Sequence, residues 1–317
     1  MPRISMYSRL LTSIAFTMLA AGLAAAQVPA GPSRPAVVPG DYLITPFGYF
    51  HSSCVKHLAQ GDEVRQDEKT IRHKNGAFDN IQVCAFPHFK PSGEKVIGDE
   101  RGVKDPSIGH AWVEYGSTTT TTSFSYLYAN WNVPPAPSTN NGQTIYLFPG
   151  MEDYADVVTI IQPVLGWNSD YASAWGIASW NCCVSGTVFE APPAPVNSGD
   201  VILGYMFDTC PSGTLSCASW DIVTWDKTNG KFSELLNTSS FGQTFNWAFA
   251  GALEVYNVVQ CSNYPSSGST SFYNLGLYNY QWQKIANPNW SVTNLSSGLT
   301  PQCGYGESLP KQLTLTY

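Results

Sequence analysis

From about Gly109 to Gln260 the apolar positions come in short runs that alternate with polar ones, and no stretch there keeps the period of an amphipathic helix. Candidate strands are Ala111–Tyr115, Phe124–Val133, Thr144–Phe148, Val157–Leu165, Ala174–Trp180, Val201–Phe207, Trp220–Asp226 and Phe245–Val258. Strong turn signals separate them: Pro134-Pro135-Ala136-Pro137, Asn140-Asn141-Gly142, Pro192-Pro193, Ser198-Gly199-Asp200 and Asn229-Gly230. Many short strands with such punctuation predict an all-β fold, an antiparallel β-sandwich of the jelly-roll or concanavalin-like kind.

Two of these strands carry a polar group in an apolar setting. Strict alternation through 245–255 puts Phe245, Trp247, Phe249, Leu253 and Val255 on one face, and Ala248, Ala250, Ala252 and Glu254 on the other. The alanines then form a shallow floor beside one carboxylate, on which a peptide can lie; the plainer alternative is that they admit a second packed sheet. In Val157–Leu165 the Gln162 amide shares a face with Val158, Ile160 and Val164, so it is either a structural bridge or a polar group aimed at a ligand. Pro163 cannot donate to a ladder, which marks this strand as an edge or a bulge.

The flanking regions differ. Arg3 and Arg9, a mostly apolar run from Leu10 to Leu23 and Ala24-Ala25-Ala26 predict a signal peptide over 1–26; the run is too short for a comfortable membrane span. Residues 27–108 read as a leader, Pro- and Gly-rich at first and then charged, either a small module or a propeptide covering the site of a hydrolase. The sandwich is expected over 109–260, with 261–317 a C-terminal extension tied back by Cys261 and Cys303. Eight cysteines in an exported chain imply disulfides. Cys210 with Cys217 is the simplest local pair, while Cys182 and Cys183 form either a vicinal bridge or bonds to separate partners.

Composition narrows the chemistry. A net charge of −7 with no basic cluster argues against a nucleic-acid partner. All five histidines precede residue 111, so a Ser-His-Asp, Cys-His or zinc hydrolase has no imidazole within the sandwich, and HExxH, G-x-S-x-G, P-loop and dinucleotide fingerprints are absent. Carboxylate and amide chemistry remains. Asp170, Asp200 and Asp226 sit at expected turns, where hydrogen bonds to the backbone account for them.

In order along the chain, Trp131-Asn132-Val133-Pro134, Leu147-Phe148-Pro149-Gly150-Met151-Glu152, Ile160-Ile161-Gln162 and Ala252-Leu253-Glu254-Val255 resemble the motif blocks of the eqolisin-type glutamic peptidases, over roughly 124–260. These are secreted acid endopeptidases with a β-sandwich fold. The resemblance implies that Gln162 and Glu254 are the catalytic pair, that the substrate is a polypeptide, and that neither metal nor cofactor is needed. Phe148, Glu152 and Trp175 are expected to line the groove. Phe148 and Val255 stand where that family has Trp, and Pro163 where it has Thr. Neprosin-like glutamic peptidases, which resemble this architecture but use two glutamates, are a related possibility that Gln162 fits less well.

The rival readings are a non-catalytic β-sandwich that binds carbohydrate, for which ten Trp and seventeen Tyr are suggestive, and a glycoside hydrolase with Glu152 or Glu190 opposing Glu254.

Overall fold

The computed structural model describes residues 34–65, 69–82, 84–96, 111–155, 157–184, 186–309 and 311–317. The predicted signal segment 1–26, the 108/109 boundary and His110 lie outside them. The described residues form strands and two short 3₁₀ turns, with no α-helix.

Two large sheets pack face to face. One runs Lys231–Ser239, Ser219–Asp226, Val201–Asp208, Phe124–Asn132, Ser269–Asn279, Leu313–Thr316 and Gly306–Ser308. The other runs Ser291–Asn294, Trp112–Thr119, Trp247–Tyr256, Thr144–Glu152, Ile160–Trp167, Trp175–Val184 and Thr187–Glu190, with Ala194–Val196 beside Trp175–Val184. Between the sheets lie Trp131, Leu147, Leu165, Leu253 and Phe272 at one end and Leu127, Met151, Ile161, Met206 and Ile222 at the other. The expected sandwich is therefore present. The segment 261–317 is more than an appendage, because Ser269–Asn279 pairs with Phe124–Asn132 and Ser291–Asn294 pairs with Trp112–Thr119, so it supplies strands to both sheets.

Burial along each strand follows from what covers it. Val201–Asp208 alternates between buried and half-buried positions, as a strand with one solvated face does. Thr144–Glu152 and Ile160–Trp167 are buried at every position. One of their faces meets the opposing sheet, and the other lies beneath the N-terminal residues. There Tyr42–Thr45 and Gly48–His51 form a hairpin, followed by Val55–His57, which pairs parallel with Thr187–Glu190 and so extends the second sheet. Phe47, Tyr49 and Phe50 pack against Tyr146, Phe148, Trp180 and Tyr256 in a third apolar cluster.

Disulfides join Cys54–Cys84 within the leader, the vicinal Cys182–Cys183, Cys210–Cys217, and Cys261–Cys303. Four such bonds suit an oxidising compartment.

Two expectations from the residue pattern are corrected. Ile160–Trp167 is not an edge: it lies between Thr144–Glu152 and Trp175–Val184. Its ladder to Thr144–Glu152 is broken between the pairs Leu147/Leu165 and Met151/Ile161, and Pro163, which lacks an N–H, falls in that gap. The alternation through Trp247–Tyr256 is broken too. The four residues from Phe249 to Ala252 face the three from Gly150 to Phe148, so the strand carries one extra residue. Trp247 and Phe249 consequently share a face with Ala252 and Tyr256, whereas Ala248, Ala250 and Leu253 turn into the core between the sheets. Glu254 therefore stands among large aromatic rings rather than on a floor of alanines.

Candidate active site

Glu254 is fully buried, opposite Tyr146 on one neighbouring strand and Trp112 on the other. Its Oε1 accepts a hydrogen bond from the Tyr256 hydroxyl at 2.6 Å, and the Trp112 side chain also reaches the carboxyl. Burial lifts this carboxyl from 4.5 to about 8, against the pull of hydrogen bonds from Tyr256 and Trp112. In the covered state it is thus protonated in acid.

Gln162 is also fully buried and faces the N-terminal hairpin. Its Nε2 donates to the Pro46 carbonyl oxygen at 3.4 Å, and its Oε1 has no partner among the described residues. Two residues earlier in the hairpin, the Ile44 carbonyl accepts a hydrogen bond from the Tyr146 hydroxyl at 3.3 Å. A stretch of leader backbone therefore runs from the surroundings of Glu254 to Gln162.

The two predicted catalytic residues share this face without touching. Glu254 is level with Tyr146, whereas the pairing of Met151 with Ile161 puts Gln162 level with Gly150, four residues further along. On a flat sheet that offset and two strand spacings separate their Cα atoms by roughly 16 Å. Phe148 stands between them, buried and edge-on to Trp112 with ring centroids 5.4 Å apart.

Of the other expected groove residues, Glu152 closes the same strand, buried opposite Trp247. Trp175 belongs elsewhere: it packs on Trp167 in the core between the sheets, on the far side of the sheet from Gln162. The rival placement of Glu190 is informative as well. Glu190 pairs with Trp180 and Trp180 with Gln162, so the three form a row across adjacent strands of the same sheet. Tyr146, Trp180 and Tyr256 escaped the sequence reading. A period-two step from Glu254 and Phe148 reaches Tyr256 and Tyr146, but tyrosine in a β protein carries no chemical signal by itself. Among the described residues no cluster of three or more His, Cys, Asp or Glu is arranged to hold a metal ion.

No protein-family model and no curated protein sequence matches the chain. In structure it is similar to scytalido-glutamic peptidase with a peptide-based transition state analog, at 15% identity and a TM-score of 0.48, over 65% of this chain and 98% of that one. It is similar also to SCP-B, a member of the eqolisin family of peptidases in a complex with the tripeptide Ala-Ile-His, at 15% identity and a TM-score of 0.46 over the same shares of the two chains. At this distance the likeness describes shape and carries no inference about chemistry.

Proposed function

We propose that this chain is a secreted acid endopeptidase of the glutamic type, described here with its leader lying on the site. The observation that supports the reading is the hydrogen bond from the Gln162 amide to the Pro46 carbonyl, which sets a peptide carbonyl against a buried amide donor on the face that also holds Glu254. A substrate peptide takes the path of Ile44–Pro46 once the hairpin has left. Water then enters beside Phe148, the Glu254 carboxyl loses the desolvation that kept its proton, and it becomes available as a general base. It accepts a proton from a water that attacks the carbonyl carbon of a peptide bond beside it and passes that proton to the departing amine as the C–N bond breaks, while Gln162, roughly 16 Å away along the same face, holds another carbonyl of the bound peptide as it now holds that of Pro46.

The test is hydrolysis of a denatured protein at about pH 4, near the ordinary range of a solvated carboxylate, by acid-incubated full-length chain beside Glu254→Gln and Gln162→Ala. The expected result is loss of turnover in Glu254→Gln and a raised KM with kcat largely kept in Gln162→Ala. A folded wild type that binds peptide and cuts none would make the face a binding surface and refute the assignment.

A further inference from the structure

Next to the Gln162 row lies a cavity of about 460 Å³, roofed by Ile44 and Thr45 of the hairpin and walled by Asn168, Asp170, Trp180 and Glu190. It continues outward into a second cavity of about 620 Å³ lined by Asn140, Asn141, Gly142 and Ser173, with Asn168, Ser169 and Asp170 common to both. Glu190 is buried at 1% exposure. No N–H or O–H of the described residues reaches its Oε1, and the group that hydrogen-bonds to it from the sandwich is another carboxyl, Asp170. Two carboxyls in contact repel each other as anions and favour a cationic partner. The remaining partner comes from the leader: Nδ1 of His57 lies 2.7 Å from Glu190 Oε2. A second basic side chain of the leader, Arg34, lines the same cavity, its guanidinium already donating to the carbonyls of Pro39 and Tyr42.

An acidic pair in a roomy cavity, met at its rim by a basic side chain of the segment that covers the site, has the form of a specificity pocket for a cationic side chain. Resting on the peptidase reading above, we infer that the Asp170–Glu190 cavity is the subsite that selects a Lys or Arg side chain of the polypeptide substrate, and that His57 pairs with Glu190 at its rim until the leader departs. Glu190 lies two strand spacings from Gln162, about 10 Å, which an extended peptide covers in about three residues. The selected side chain is therefore about three positions from the residue whose carbonyl Gln162 holds, and about seven from a bond cut beside Glu254.

The experiment scans Lys against norleucine, an uncharged chain of similar length, through eight positions on each side of the cleaved bond, using acid-incubated full-length protein. At one position the Lys peptide is expected to exceed the norleucine peptide at least tenfold in kcat/KM. That ratio should collapse towards one in Asp170→Asn and Glu190→Gln. Asp170→Lys, by placing the opposite charge in the cavity, should turn the preference towards a Glu peptide, which general damage to the fold would not do. Hydrolysis without a Lys preference at any position overturns the subsite and leaves the peptidase reading standing. If no peptide is cut, the peptidase reading fails, and the Kd values of the same peptides decide the subsite: a tenfold advantage for Lys sustains a cationic pocket, and equal affinities refute it.

Discussion

Gln162 donates its side-chain amide to the carbonyl of Pro46 across the join between sandwich and leader, 3.4 Å from nitrogen to oxygen. The turn that presents this carbonyl depends on Gly48, whose φ is +122° and whose Cβ, if it had one, would sit 2.7 Å from the Phe89 carbonyl oxygen. Gly48→Val forces this turn to shift, by strain in the left-handed region and by collision with backbone. If the hairpin is the cover of the site, the lag before acid activity in full-length protein should shorten severalfold in this variant. Progress curves read the lag directly, and an unchanged lag would show that the hairpin does not limit access.

Tyr256 donates to Glu254 Oε1 at 2.6 Å and thereby favours the ionised carboxylate. Tyr256→Phe removes that donor and raises the pKa of Glu254 further. A general base must be ionised, so the acid limb of the pH–kcat/KM profile should move to higher pH, by about one to two units if the hydrogen bond is of ordinary charged strength. A profile that does not move would remove Glu254 from the role of base.

Several buried carboxyls titrate high for a shared reason, desolvation: Glu254 at about 8, Glu114 at about 9, Glu190 at about 11 and Asp208 at about 6. Each binds its proton more tightly folded than unfolded. The stabilisation they give is complete below the unfolded carboxylate range and is lost as pH rises through the folded values. The covered chain should accordingly be more stable at about pH 4 than at about pH 8. Glu254 supplies at most about 5 kcal/mol of that change, at about 1.4 kcal/mol per unit. Measured before the lag at low pH has elapsed, Glu254→Gln should flatten the fall in Tm between these pH values relative to the unsubstituted chain. An identical slope in both proteins would contradict the burial of Glu254.

The strand pattern and the sandwich were legible because turn residues and period-two runs are local signals: Thr144–Glu152, Val201–Asp208 and Ser219–Asp226 lie close to where the alternation puts them. Gln162 and Glu254 stood out as polar groups among apolar neighbours, and they do share one face. What they face was not legible. The extra residue near Gly251 reverses the alternation, and nothing in Phe249-Ala250-Gly251-Ala252 announces it except a glycine, which is equally compatible with a plain strand. Trp175 was misplaced for a related reason, since an isolated aromatic fits either face of a sheet buried on both sides. The Asp170–Glu190 contact joins a turn to a strand that the residue pattern did not single out, and its partner His57 lies in the leader, far away in sequence.

The role of Gly251 can be tested alone. A Cβ there would lie 2.3 Å from the Phe272 ring, inside any tolerable contact, because the bulge turns Gly251 as well as Ala250 towards the core between the sheets. Gly251→Ala must move Phe272, which is wholly buried against Trp131 with ring centroids 5.4 Å apart, or unwind the bulge. Moving the ring costs about 1–3 kcal/mol by overpacking. Unwinding the bulge shifts Glu254 by one residue and carries it to the opposite face of the sheet. The two responses separate cleanly. Repacking lowers the denaturation midpoint and leaves the acid limb of the pH–rate profile in place, whereas loss of the bulge removes activity as completely as Glu254→Gln. Phe272→Leu, which opens space opposite Gly251, should restore part of the stability in the first case and is expected to do so. A Gly251→Ala protein with unchanged stability would show that the extra residue does not sit where this packing puts it.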